Sequence, residues 1–269
     1  MSCRQVYSSG SVMGIRIKSE VYQQWIESGS ARRLLSLEAG WLREALADFH
    51  GHHLLYAGID NTPRFLKRTR LRHCFRMAPG WARDSGCDAR MQDDAWPLAD
   101  ESVDVVVLQH GLDLSARPHQ MMREAARVLV PSGYVVVVGF SPMSVFGLLR
   151  RGFTLSSRLP WVVNCVSAPR LSDWLTLLDF RVESVTPVAH LWPLRLLSEG
   201  ASRRFDRVLA GHSWVPANAY IMVARKTVAG VTPIQPRRWL MNPGFGMAVP
   251  AARVAGDTLP TINNQLPTD

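Results

Sequence analysis

The sequence predicts an α/β fold built on a mostly parallel β-sheet, and three observations lead to this prediction. Short apolar segments of strand length alternate along the chain with amphipathic segments of helix length. The clearest apolar segments, 103–108 and 134–140, are nearly continuous runs without alternation, which is typical of strands covered on both faces. The chain has 269 residues, of which 47% are hydrophobic, so it is long enough to bury a core of its own.

The elements are predicted from apolar spacing and from the residues that begin and end each segment. Strands are predicted at 53–59, 71–77, 88–91, 103–108, 134–140, 180–188 and 219–224. Helices are predicted at about 30–49, 118–129, 170–178 and 197–209. Ser30 or Ser36 is expected to cap the first helix, and the Pro-Ser-Gly sequence at 131–133 is expected to end the second.

Changes in composition divide the chain into three parts. Residues 1–29 are expected to form a leader, and residues 30–226 are expected to form the folded domain. An insert at 190–216 separates the last two strands of that domain. Residues 227–269 contain six prolines and little periodicity, so we expect a mostly disordered tail.

Charge and cysteine content restrict the setting in which the protein works. The net charge is +9 and the pI is about 10, which favours anionic partners such as nucleic acid, acidic lipid, or a phosphorylated or carrier-bound substrate. The four cysteines do not have the spacing of metal ligands, so no bound metal is expected. The longest apolar stretch, 134–149, is short for a membrane span and contains Gly139 and Pro142. We therefore expect a cytoplasmic protein without a membrane partner.

The most specific pattern lies between residues 93 and 147. It contains a polar loop that runs into a strand, DDAWPLADESVDVVV, and a helix that runs into the next strand, EAARVLVPSG. This stretch resembles the class I S-adenosylmethionine-dependent methyltransferases, in particular the methyltransferase type 11 group. The positions that match the pattern of that group are Pro97, Asp100, Ser102, Asp104, Glu124, Arg127, Val128, Leu129, Pro131 and Gly133.

The resemblance extends in order over about residues 50–226. It implies a Rossmann-like three-layer sandwich with a seven-stranded sheet. Six of the strands would be parallel, and the strand at 219–224 would be antiparallel and inserted near one edge of the sheet.

The same resemblance implies S-adenosylmethionine as the cofactor and suggests which residues contact it. In the ungapped register Gln92 occupies the family's usual aspartate position at the adenine, and a slip of one residue places Asp93 there. We favour Asp93 or Asp94, because an anionic acceptor bonds an amine more strongly than a neutral one does. Gln109 would border the methionine end of the cofactor. His110, in the same loop, is a candidate base or substrate contact.

The loop after the first strand departs from the family pattern, which is D/E-x-G-x-G-x-G. Tyr56 stands in place of the acidic residue, Gly58 keeps the first glycine, and Asp60 stands in place of the second. We expect Gly58 to allow close approach of the cofactor, and Asp60 or Asn61 to supply a polar contact. After the second strand, residues 77–80 lack the carboxylate that would hold the ribose.

Two functions are compatible with these features. The first is transfer of a methyl group from S-adenosylmethionine to an unidentified substrate, either a small molecule or a carrier-bound group. The second is a non-catalytic interaction module of the same fold, with RNA as a candidate ligand, for which the altered glycine loop, the high net charge and the long tail are the motivation. The basic run at 64–76 is a separate candidate for binding phosphate. A nicotinamide-dependent dehydrogenase is disfavoured, because G-x-G-x-x-G is absent after the first strand.

Overall fold

Seven strands form one β-sheet in the part of the chain that the structure describes. The computed structural model describes residues 24–80, 87–144, 165–190, 199–209 and 217–227, all within one compact unit, Met1–Gly230. The strands are β1 (His53–Gly58), β2 (His73–Ala78), β3 (Ala89–Arg90), β4 (Val103–Gln109), β5 (Leu129–Phe140), β6 (Phe180–Val188) and β7 (Ala219–Lys226). Each lies within a few residues of a predicted strand.

The strands of the sheet have the directions that the resemblance implies. The strands lie in the order β3-β2-β1-β4-β5-β7-β6. Neighbours from β3 through β5 are parallel, and β7 is antiparallel to both β5 and β6. The prediction of six parallel strands and one antiparallel strand near an edge is confirmed. Because chain order reverses between β1 and β4, the carboxyl ends of these two strands border the crevice in which open α/β sheets bind ligands.

Helices cover both faces of the sheet. They are α1 (Gly29–Ala45), α2 (Gly111–Leu114), α3 (Pro118–Val128), α4 (Ala168–Leu177) and α5 (Glu199–Leu209), together with a 3₁₀ helix (Arg64–Arg68). Alternation along β1 directs Leu54 and Tyr56 into an apolar cluster with α1, and directs Leu55 and Ala57 into a second cluster with α3 and α4. This alternation places Tyr56 on the α1 side of the sheet.

Two predicted boundaries were wrong. The cap of α1 is Ser28, whose hydroxyl accepts from the Ala31 N–H at 3.2 Å, and the helix ends at Ala45 instead of about residue 49. The Pro-Ser-Gly sequence lies inside β5, where Ser132 has a φ of 66° and the register with β4 shifts. A Cβ on Gly133 would lie 2.9 Å from the backbone oxygens of both Asp104 and Val130, so the neighbouring strand and the local bulge of β5 together require this glycine.

The predicted leader and tail fall largely or wholly outside the described residues, as do residues 191–198 and 210–216 of the insert. The insert's predicted helix is present as α5, and Arg207 of α5 pairs with Glu44 of α1 at 2.9 Å. None of the helices in the described ranges is long and apolar enough to cross a lipid bilayer.

Candidate cofactor site

The candidate site lies where β1 and β4 end side by side. Gly58 and Gln109 are register partners at the carboxyl ends of these strands, and the Ile59 N–H donates to the Gln109 backbone oxygen at 3.1 Å. Gly58 is half-buried, whereas Gln109 is almost fully buried. The structure therefore brings together two of the residues that were predicted to contact a cofactor.

The phenol of Tyr56 holds the loop that follows β1. Its hydroxyl donates to Gln109 Oε1 at 2.7 Å and accepts from the Asp60 backbone N–H at 2.9 Å. The carboxylate of Asp60 accepts from the Thr62 N–H at 2.8 Å. Burial raises the pKa of the Asp60 carboxyl, and the Thr62 N–H and the nearby guanidinium of Arg76 oppose that rise.

The absence of a side chain at Gly58 is required by its protein neighbours. A Cβ at this position would lie 2.6 Å from Tyr56 Oη and 2.7 Å from Gln109 Cβ. Real Cβ atoms essentially never make contacts this short, so one of the three residues would have to move. Gly58 thus allows Tyr56 and Gln109 to close over the end of β1.

A buried polar network continues from Gln109 across the end of β4. Gln109 Nε2 donates to Glu38 at 2.6 Å, and the other oxygen of Glu38 lies 2.8 Å from His110 Nε2. His110 Nδ1 lies 2.8 Å from Asp113, which also accepts from the Phe140 N–H at 2.9 Å. The imidazole stacks on the Phe140 ring, with a distance of 4.0 Å between centroids.

Glu38 was missed in the sequence, although a signal for it exists. It lies on the apolar face of α1, four residues after Leu34 and four before Leu42, and all three side chains are fully buried. A charged residue on the apolar face of a helix requires a buried partner, because burying an isolated charge costs much free energy. Its partners lie in β4 and in the loop after it, 71 and 72 residues away along the chain.

The surroundings of His110 give it a structural role in place of the base predicted from the sequence. Burial alone would lower the pKa of His110, but the Glu38 carboxylate, together with Asp113, raises it to about 9. The imidazole is therefore protonated at neutral pH. Both ring nitrogens are engaged and the side chain is inaccessible to solvent, so it can neither accept a substrate proton nor contact a substrate.

The acidic pair predicted to contact adenine is fixed to the loop between α2 and α3. Asp93 accepts through Oδ2 from the Ser115 hydroxyl and from the Ala116 N–H at 3.1 Å. Asp94 pairs with Arg117 and is exposed. The third candidate for this position, Gln92, is exposed, and its backbone forms an antiparallel bridge with the residue at 95.

Several positions that match the family pattern shape the loop between β3 and β4. Arg127 donates to Glu124 at 2.7 and 3.0 Å, to the Trp96 oxygen at 3.1 Å and to the Leu98 oxygen at 2.9 Å, and it also pairs with Asp100. Glu124 in turn accepts from the Trp96 N–H at 2.8 Å. The Arg127 hydrogen bond holds the pKa of the Glu124 carboxyl below its usual value. This ion pair therefore clamps residues 96–100 to α3.

Asp104, the first acidic residue of β4, also has a structural role. Its carboxylate accepts from the backbone N–H groups of His52 and His53, both at 2.9 Å. These contacts fix the turn that leads into β1. In the described residues, no group of three or more His, Cys, Asp and Glu side chains is arranged to hold a metal ion.

Comparison with known proteins finds a family model that matches part of the sequence. A family model described as "Methyltransferase domain" matches residues 37–137, which include α1 from Leu37 onwards and most of β5. The chain is also similar to Uncharacterized protein YafS of Escherichia coli (strain K12), with 33% identity over 158 residues. That match covers 58% of this chain and 62% of the relative, so the chain spans about three fifths of the length of the curated protein that it matches.

Solved structures show the same fold at low sequence identity. One is a protein solved in complex with the Trm112 methyltransferase activator of Haloferax volcanii, with a TM-score of 0.56, 14% identity, and coverage of 79% of this chain and 98% of that one. Another is a SAM-dependent methyltransferase from Archaeoglobus fulgidus, with a TM-score of 0.53, 18% identity, and coverage of 76% and 99%. With the strand order of the sheet, these likenesses show that the chain has the fold of these proteins, and the family match shows its similarity to methyltransferase domains over residues 37–137.

Proposed function

We propose that the protein binds S-adenosylmethionine at the carboxyl ends of β1 and β4 and transfers its methyl group to an anionic substrate. One observation carries this proposal: the loops that follow β1 and β3, at the carboxyl ends of the strands, each carry a carboxylate, Asp60 and Asp93. The cofactor has a sulfonium, an ammonium and a single carboxylate, so it is a net cation. The charge of these loops fits such a ligand.

The residues at the crevice can be assigned to parts of the cofactor. Asp60 would accept from the ammonium at the methionine end, and Gln109 would form the wall beside it. Asp93 or Asp94 would accept from the adenine amine. The bound sulfonium makes the methyl group electrophilic, and the work of this chain is to hold both reactants in line and to exclude water. Such work requires neither a catalytic triad nor a metal ion.

The charge of the substrate is proposed from the surface that follows the cofactor loop. The 3₁₀ helix and the segment after it expose a set of basic side chains, which are Arg64, Lys67, Arg68, Arg70 and Arg72. This set begins only four residues after Asp60, so a substrate that reaches the methyl group passes close to it. A phosphorylated small molecule or a carrier-bound group fits this surface, and RNA is the macromolecular alternative.

A second candidate function is the non-catalytic module of the same fold. The observation that favours it is the close packing of Tyr56 and Gln109 against Gly58, which narrows the site on the β1 side. In that case the basic surface would be the functional part of the molecule, and RNA would bind without the cofactor.

Equilibrium binding of S-adenosylmethionine to the full chain, measured by titration calorimetry, tests the proposal. We expect binding, and we expect Asp60→Asn to weaken it about tenfold, because a neutral amide replaces a charged acceptor. Asp48→Asn is the matched control, since Asp48 is exposed and lies beyond the end of α1. No heat of binding at millimolar cofactor would refute the proposal. Salt-dependent retention of RNA by the same cofactor-free protein would then favour the non-catalytic module.

A further inference from the structure

We propose that Tyr56 is a positioning residue, which holds the backbone of the loop that follows β1. We also propose that it stands in place of the family's acidic residue because Glu38 already accepts the hydrogen bond that the Gln109 amide nitrogen donates. The inference deepens the function proposed above and rests on it only for its effect on cofactor affinity. The family pattern has a carboxylate where this chain has Tyr56, and the substitution has a physical reason in the hydrogen-bond network. That network runs from Glu38 through Gln109 and Tyr56 to the backbone of Asp60.

The direction of each hydrogen bond in the network is determined by its end members. A carboxylate can only accept, so Gln109 must turn its amide nitrogen toward Glu38, at 2.6 Å. The amide oxygen of Gln109 then faces residue 56 and requires a donor. The Tyr56 hydroxyl donates to it at 2.7 Å. Its oxygen still has a lone pair for the Asp60 N–H, at 2.9 Å.

A carboxylate at position 56 would not satisfy this arrangement. It could accept from the Asp60 N–H, but it could not donate to the oxygen of Gln109. The Gln109 amide group would then face a carboxylate on each side, and it can donate through its nitrogen on one side only. The Gln109 side-chain oxygen would lose its hydrogen-bond donor. Because Glu38 and Gln109 are both almost completely buried, that loss would not be repaired by solvent.

Packing on the α1 side of the sheet places the Tyr56 hydroxyl beside the loop that follows β1. The phenol projects from β1 on the α1 side, packs edge-on against Phe65 with a centroid distance of 5.8 Å, and is 1% exposed. Gly58 leaves the space that the hydroxyl needs. The loop backbone at Asp60 is thereby tied to α1 through two side chains, and the Asp60 carboxylate remains as the charge that the loop presents to a cofactor.

The test compares Tyr56→Phe with Tyr134→Phe in the full chain. Both variants remove one hydroxyl and keep the ring, and Tyr134 stacks on Phe49 at the other end of the sheet. Amide hydrogen exchange at Asp60 is measured without cofactor, and S-adenosylmethionine binding is measured by calorimetry. We expect Tyr56→Phe to accelerate exchange at Asp60 by about tenfold or more and to raise the Kd for the cofactor about tenfold. Tyr134→Phe should change neither quantity.

An unchanged rate of amide exchange at Asp60 in Tyr56→Phe would overturn the inference, regardless of the affinity measured for the cofactor. If the exchange responds but the wild-type protein binds no S-adenosylmethionine, the positioning role stands and the proposed function fails.

The coupling to Glu38 is tested by a double-mutant cycle. Tyr56→Glu should weaken cofactor binding less in a Glu38→Gln background than in the wild type. The reason is that an amide at position 38 can donate to the Gln109 oxygen, which frees the Gln109 amide nitrogen for the carboxylate introduced at position 56. Equal losses in both backgrounds would contradict the coupling.

Discussion

The buried charge at His110 makes the stability of the protein depend on pH in a direction that can be calculated. The folded protein holds the His110 proton more tightly than the unfolded chain does, with a pKa of about 9 against an ordinary value of 6.5. At about 1.4 kcal/mol per pH unit, this difference corresponds to about 3 kcal/mol of stability. This contribution is fully present below about pH 6.5 and is lost as the pH rises through 9.

Glu38→Gln is the perturbation that tests the origin of this effect. The substitution preserves the shape of the side chain and removes the carboxylate that raises the His110 pKa most. We expect it to lower the free energy of unfolding near pH 7 by about 3 kcal/mol, because breaking a buried ion pair leaves a less compensated charge. We also expect the fall in stability between pH 6.5 and 9 to become smaller, since the pKa of His110 moves back toward its ordinary value.

Urea unfolding between about pH 6 and pH 9.5 measures both effects, and an NMR titration of the His110 ring follows the proton directly. His52→Gln is the matched control, because it removes an exposed histidine. Its pH profile should coincide with that of the wild type. A wild-type stability that stays constant from pH 6.5 to 9, or a His110 resonance that titrates near 6.5, would refute the account of the buried network.

Three further substitutions test other parts of the fold, each by urea unfolding near pH 7. Gly58→Ala should lower the free energy of unfolding by about 2 kcal/mol, because its Cβ would lie 2.6 Å from Tyr56 Oη; an unchanged value would show that the phenol moves aside freely. Arg127→Met should cost about 2 kcal/mol and accelerate amide exchange in the loop at 96–100, and unaltered exchange there would argue against the clamp. Asp104→Ala should cost about 1 kcal/mol by leaving two backbone N–H groups to solvent; no loss would mean that water replaces the carboxylate fully.

The fold could be predicted because the strands and helices are encoded in short stretches of sequence. Runs such as 105–108 are apolar on both faces, which is typical of a strand covered from both sides. The matched positions Asp100, Glu124 and Arg127 carried the resemblance to the methyltransferases, and the structure shows that they hold the loop between β3 and β4. The predictions failed where tertiary contacts override local preference. Residues 131–133 look like a turn that ends a helix, but they lie inside β5, where the register with β4 shifts.

By itself, the sequence determined the α/β architecture and the loops that border the candidate site, and the family resemblance implied the strand directions. Only the tertiary structure decided how that site is organised. Glu38 looked like an ordinary helix residue, Tyr56 like the loss of an acidic contact, and His110 like a candidate base. Contacts that span 53 to 72 residues join these three side chains to Gln109 in one buried network. Donors and acceptors so distant along the chain become partners only when α1 packs across the ends of β1 and β4, and no local pattern records that packing.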